Sequence, residues 1–131
     1  MKNEAQIRSN QAKSFWFEYQ NSSLIFSIYP EVREIEIKLK FNYDESQRVE
    51  SIKKLTSTDH AFFKIECINR NCIHGGFDLS TDIVNLINRK GNQFANHKIC
   101  NGYQDYKRFI AKNYHCLCKL DLTIEIIYNE N

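Results

Sequence analysis

The clearest signal along the chain is strict alternation. Ile35, Ile37, Leu39, Phe41 and Tyr43 alternate with Glu34, Glu36, Lys38, Lys40 and Asn42, so a strand there carries one apolar face and one charged face. The C-terminal stretch repeats the pattern. Cys116, Cys118, Leu120, Leu122, Ile124, Ile126 and Tyr128 share one face, and His115, Lys119, Asp121, Thr123, Glu125 and Asn129 lie on the other. A final strand is therefore expected from Tyr114 to Tyr128. Shorter alternations predict strands at Phe15, Phe17 and Tyr19, through Phe63, Ile65 and Cys67, and from Phe94 to Cys100. Leu24–Tyr29 reads as a further strand closed by Pro30, forming a hairpin with the 15–19 run across Asn21-Ser22-Ser23.

Helical spacing is rarer. Ile83, Leu86 and Ile87 mark the buried stripe of a helix over 80–90, with Ser80 as N-cap, Asp82 in the first turn and Gly91 as the C′ residue. Val49, Ile52 and Leu55 recur every third residue, which predicts a short amphipathic helix, with an irregular loop as the alternative. Tyr106, Phe109 and Ile110 suggest a short helix over Gln104–Lys112, preceded by a hairpin-type turn at Asn101-Gly102. Met1–Lys13 is polar and expected to be frayed, or a short helix around Ala5–Ala12. The sum is one α+β domain spanning 1–131. It has an antiparallel sheet of about five or six strands, one well-formed helix and one or two short ones. Strands preceding the first well-formed helix argue against a doubly wound parallel fold.

Composition narrows the class. The 131 residues are 42% hydrophobic and 13% aromatic, enough for one core, and one Pro with four Gly excludes collagen-like or Pro/Gly-rich disordered chains. No apolar run approaches the ~20 residues of a membrane-spanning helix, and the polar N-terminus has no apolar segment of an export signal. A cytoplasmic protein without a membrane partner is expected. The abundance of Asn, Lys, Ile, Phe and Tyr points to an A+T-rich coding genome, bacterial or phage.

All five cysteines lie in the second half, at 67, 72, 100, 116 and 118. An odd number without an export signal argues against a disulfide framework. Cys67-x4-Cys72 flanks the polar turn Asn69-Arg70-Asn71, a spacing at the edge of what a zinc knuckle allows. The second half-site draws on Cys100, Cys116 and Cys118, with His74, His97 and His115 nearby in sequence. Cys116 and Cys118 start about 6.6 Å apart along one strand face, whereas two thiolates on one zinc sit under about 4 Å apart. The expected zinc ligands are therefore Cys67, Cys72, Cys100 and Cys116, with Cys118 an inward-facing thiol; the alternative exchanges Cys118 for Cys116. The plain alternative to both is five buried, unligated thiols in a reducing cytoplasm.

Net charge is only +2, but it is unevenly spread. Between Arg89 and Lys119 seven basic residues face a single acid, Asp105, and Tyr103, Tyr106 and Phe109 are interleaved with them. Phosphate tracking with base stacking needs that mixture. Lys98, Lys107, Arg108 and Lys112 are the expected phosphate contacts, with Tyr103 and Tyr106 as stacking groups. The ordinary alternative is a solvated face whose aromatics belong to the core. Phosphate-binding glycine loops, H-E-x-x-H and the zinc-deaminase pattern are absent from the sequence. A Cys72/His74 nucleophile pair is the residual enzymatic reading, but a four-thiolate site leaves no open coordination position, so no enzyme and no small-molecule substrate are expected.

Over residues 62–120 the Cys-x4-Cys knuckle at a strand end, the later single Cys and the Cys-bearing final strand resemble a zinc-ribbon-type small zinc-binding module. A helix separates the half-sites here, and Cys100…Cys116-x-Cys118 replaces the compact second C-x2-C of the common ribbon. The resemblance implies a bound Zn2+ and a contact platform for nucleic acid or a nucleoprotein complex. The alternative function is a protein-interaction module, an accessory or inhibitory subunit of a larger bacterial or phage complex, docking through a sheet edge or through the aromatic segment Phe15, Trp16, Phe17 and Tyr19.

Overall fold

The computed structural model describes residues 4–44, 47–69, 72, 75–102, 116 and 118–130. In chain order its elements are α1 (Glu4–Asn21), α2 (Ile25–Ile28), β1 (Val32–Asp44), β2 (Gln47–Thr56), β3 (Lys64–Ile65), β4 (Phe77–Asp78), α3 (Ser80–Asn88), β5 (Gln93–Ile99) and β6 (Lys119–Tyr128). The fold is mixed α+β. Four strands form an antiparallel sheet in the order β2-β1-β6-β5, and β3 with β4 forms a separate two-stranded one. The six strands are thus divided between two sheets.

The centre of the large sheet is the β1–β6 pair, and the alternation read in the sequence explains it. Ile35, Ile37, Leu39 and Phe41 stand opposite Ile126, Ile124, Leu122 and Leu120, and all eight are buried. Burial of each such side chain contributes about 1.5–3 kcal/mol. Ile83, Leu86 and Ile87 of α3 join the same core, with Leu79, Phe63 and Phe77.

The helix at 80–90 forms, with different ends. Its N-cap is Leu79, which has no capping side chain, and Ser80 is the first helical residue. Asp78 supplies the missing acceptor, its Oδ1 taking the Ser80 N–H at 2.9 Å. At the other end Lys90, not Gly91, takes the left-handed conformation at φ 55°. Gly91 N–H bonds Leu86 O (2.8 Å) and Lys90 N–H bonds Ile87 O (2.9 Å), the paired closure of a Schellman end. Gly91 thus stands at C″, one place past the C′ position expected for it, where a Cβ would meet Leu86 Cδ1.

Three other expectations are corrected. The 15–19 strand is replaced by α1, an 18-residue helix, which also takes the helical alternative expected around Ala5–Ala12 and extends it from Glu4 to Asn21 in place of a frayed segment. Among the described side chains its half-buried positions are Arg8, Gln11, Phe15 and Tyr19, a 3–4–4 spacing hidden from a hydrophobicity reading because two members are polar. Phe15 and Tyr19 meet the Phe62 ring edge-on at 4.9 and 5.7 Å. Within Leu24–Tyr29 the residues Ile25–Ile28 form a single helical turn, and the extended Leu24 before it is bridged to His60. Of α2 only Ile25 is buried, so its apolar run reflects exposure, not a strand face. The segment expected as a helix around Val49, Ile52 and Leu55 is strand β2, registered on β1 from Asn42↔Arg48 to Glu34↔Thr56. Pairing with the long neighbour overrides the three-residue spacing, which mixes the two faces of an edge strand. The expected helix over Gln104–Lys112 lies outside the described residues, as do Tyr114 and His115 at the start of the expected last strand.

Candidate metal centre

Two pieces of backbone converge on the cysteines. The β3–β4 pair is short, with Lys64 opposite Asp78 and Ile65 opposite Phe77, and the loop it closes carries Cys67 and Cys72. The second piece is the end of the large sheet. Beyond β5 and β6 the ladder continues through Cys100 N–H to Cys118 O (3.0 Å) and Cys116 N–H to Gly102 O (2.8 Å). Cys100 and Cys116 therefore stand on neighbouring strand ends facing the loop.

The sulfurs of Cys67, Cys72, Cys100 and Cys116 all lie within 4.8 Å of one another. Cys67 and Cys116 are 3.5 Å apart, as are Cys72 and Cys100. Tetrahedral zinc with bonds of about 2.3 Å sets its sulfurs about 3.8 Å apart, so the four can hold a metal ion with small adjustment. Three of these cysteines are buried, and Cys67 is partly exposed. Cys118 is also buried, but its sulfur does not belong to the group of four, and burial pushes its thiol pKa up. His97 is exposed on β5 and outside the cluster; His74 and His115 lie outside the described residues.

The surroundings favour charged sulfur. Asn69 N–H points at Cys67 Sγ (3.4 Å), and Gly76 and Gly102 N–H point at Cys100 Sγ (3.3 and 3.4 Å). The Asn69 side-chain amide reaches Cys116 Sγ at 3.5 Å. Donors of this kind stabilise thiolates and orient metal ligands. Without a cation the four cannot all ionise. Hydrogen bonding from Cys100, then from Cys67 and Cys72, holds the Cys116 pKa far down. Bonds from Cys100, Cys116 and Cys72 push Cys67 up, and those from Cys100 and Cys116 push Cys72 up. At Cys100 the upward pull of Cys116 is outweighed by bonds from Cys67, Cys72 and the Gly102 N–H, so its pKa falls. The cluster shares protons that a dication would displace.

Sequence reasoning missed three contributors. Asn69 was read only as part of a turn, although a residue two positions after a knuckle cysteine is placed to donate to its sulfur. Gly102 was read only as part of a hairpin-type turn, and Gly75 was not singled out. Their role is space: a Cβ on Gly75 would overlap Cys72 Sγ and crowd Cys100 Sγ, and one on Gly102 would overlap Cys72 Sγ. Of the glycines only Gly76 takes a positive φ, at 140°. Helix α1 covers one flank, where Gln11 Nε2 donates to Gly75 O at 3.2 Å. Arg8, Gln11 and Phe15 line a cleft of about 210 Å³ that reaches Cys67 and Cys72.

The expected phosphate contacts are less gathered. Lys98 pairs with Asp82 at 2.9 Å, and both side chains are largely covered, so its charge is already engaged within the fold. Tyr103, Tyr106, Lys107, Arg108 and Lys112 lie outside the described residues. Among the described residues no helix is long and apolar enough to cross a membrane. No protein-family model matches the chain, and neither a curated protein nor a solved structure matches it.

Proposed function

We propose that Cys67, Cys72, Cys100 and Cys116 bind one zinc ion as a structural centre, and that the metal holds both ends of the basic, aromatic segment 103–115 for contact with nucleic acid or a nucleoprotein complex. The carrying observation is the gathering of the four sulfurs within 4.8 Å. A tetrathiolate zinc is coordinatively closed, so it acts as a cross-link and offers no position for catalysis. Gly102 and Cys116 flank the segment and are hydrogen-bonded to each other at 2.8 Å, which ties its two ends to the site. Within it Lys107, Arg108 and Lys112 outnumber Asp105, and Tyr103, Tyr106 and Phe109 add stacking surface.

Elemental analysis of protein purified without chelator should give close to one zinc per chain. Metal-free protein with unchanged melting would overturn the metal reading. Anisotropy with a labelled single-stranded oligonucleotide should show affinity falling steeply with salt. Lys107→Glu with Arg108→Glu should weaken it roughly tenfold or more at unchanged melting temperature, and unchanged affinity would refute this surface.

The exposure of Trp16 (57%) and Phe17 (66%) on α1 favours a second reading, a protein-interaction module docking through this helix. Exposed aromatics of this type dominate interface hot spots. A red-shifted, quenchable Trp16 emission that becomes shielded when a partner is added would support it, and emission unchanged by a binding partner would exclude docking at this helix.

A further inference from the structure

Strand β2 closes one edge of the large sheet, and among the described residues no strand pairs with its outer side. It is ten residues long. Unpaired edges are usually kept short or interrupted by a bulge or proline. Here the only irregularity in the β1–β2 ladder falls between Asn42 and Asp44, at the turn end, so residues 48–56 form a regular edge. Two of its apolar side chains are exposed, Ile52 (61%) and Val49 (45%). Val49, Ser51, Lys53 and Leu55 share the face that meets the core, and Glu50, Ile52 and Lys54 share the other.

We propose that β2 pairs antiparallel with β2 of a second copy of this chain across a two-fold axis at Ile52, joining two four-stranded sheets into one of eight strands. The inference is independent of the metal. In a two-fold antiparallel pair centred on position 52, each residue faces the one equally far on the other side of 52, and paired side chains share a face. Ile52 then meets its own copy, covering an exposed apolar side chain. Glu50 meets Lys54 twice by symmetry, and Val49 meets Leu55 twice. Ser51 faces Lys53. Lysines that would ordinarily guard an edge are in this register answered by an acid or a hydroxyl.

Neighbouring registers lack that match. Centring on Ser51 sets Arg48 against Lys54 and Val49 against Lys53; centring on Lys53 sets Lys53 against itself and Ile52 against Lys54. Charge therefore selects one register. Glu50 is available for it: its intrachain contact to Lys40 is 3.7 Å long, with both side chains well exposed, and such pairs hold little energy.

Sedimentation equilibrium on the full chain, as purified, tests this directly. Wild type should populate a dimer as concentration rises. Glu50→Lys and Lys54→Glu each turn two attractive cross-strand pairs into repulsive ones, and each should weaken dimerisation roughly tenfold or more. Mixing the two variants restores both attractions and should yield a heterodimer tighter than either homodimer, and the double charge swap should recover the wild-type constant. Both sites are exposed, and unchanged melting temperatures would establish that the variants are folded. A wild type that stays monomeric at all concentrations, or single variants that dimerise as wild type does, would overturn the proposal.

Discussion

The large sheet and the cysteine knuckle are held together by different physics. In the β1–β6 pair, cohesion is spread over eight apolar side chains in four facing rungs, each contributing a small, additive share. In the knuckle two strands of two residues each support a loop, and cohesion is concentrated where four sulfurs meet. A spread core tolerates the loss of one member. With the proposed zinc bound, a ligand set does not, because a missing thiolate would leave the metal open and its remaining ligands without their shared charge. Small folds with too little apolar area often add a metal in this way, turning binding energy into folding energy.

The strongest way to break the comparison is to remove the proposed zinc or one of its ligands. If the four cysteines hold zinc as proposed, chelation, or Cys116→Ser, should lower the melting temperature by roughly 10 °C or more. Hydrogen exchange should quicken at 66–69 and 100–102 while the centres of β1 and β6 stay protected; equal loss in both regions would mean the two are not separately held. Acid should do the same more gradually. The proposed zinc would have to displace the protons that mutual hydrogen bonding holds on Cys67 and Cys72, so affinity should rise with pH and the ion should leave as pH falls. Each displaced proton corresponds to roughly a tenfold change per pH unit, measurable by competition with a chromophoric chelator. A pH-independent affinity would contradict the proton-sharing picture.

Ile124→Ala is the converse perturbation. It should cost about 2–5 kcal/mol in chemical denaturation, by the same amount in metal-bound and metal-free protein. Gly102→Ala should act in the knuckle alone, because its Cβ overlaps Cys72 Sγ. It should weaken zinc binding roughly tenfold or more and leave exchange in β1 and β6 unchanged. The smallest effect is expected at the Lys64–Glu18 pair, 2.7 Å long and half exposed, which ties α1 to the knuckle's first strand. Glu18→Gln should cost less than about 1 kcal/mol. The hydrogen bond to Glu18 raises the Lys64 pKa above its ordinary 10.5, so the contribution is present at neutral pH and lost as pH rises through the folded value. A larger loss at neutral pH would give this surface pair an unexpected structural weight.

Legibility followed the same division. β1 and β6 were readable because a strand buried on one face writes its period directly into the sequence, and α3 was readable from Ile83, Leu86 and Ile87. β2 was not, since an edge strand is under little demand to alternate; its row on the core face mixes Val49 and Leu55 with Ser51 and Lys53. α1 was not, since half of its inward stripe is Arg8 and Gln11. The four sulfurs that lie close together belong to the cysteines singled out from knuckle spacing and from the separation of Cys116 and Cys118 along one strand face. The donors around them were invisible, because a backbone N–H carries no sequence signature.

By itself, the sequence determined which faces of β1 and β6 are apolar, that α3 is a helix, and that all five thiols lie in the second half of the chain. Those properties are local, set by periods of two and 3.6 residues. Only the tertiary structure decided that the β3–β4 loop stands over the ends of β5 and β6, that Gly75 and Gly102 must lack side chains, and that β2 lies at an edge. Each of these depends on which distant segments become neighbours, and that is settled by packing the whole core at once.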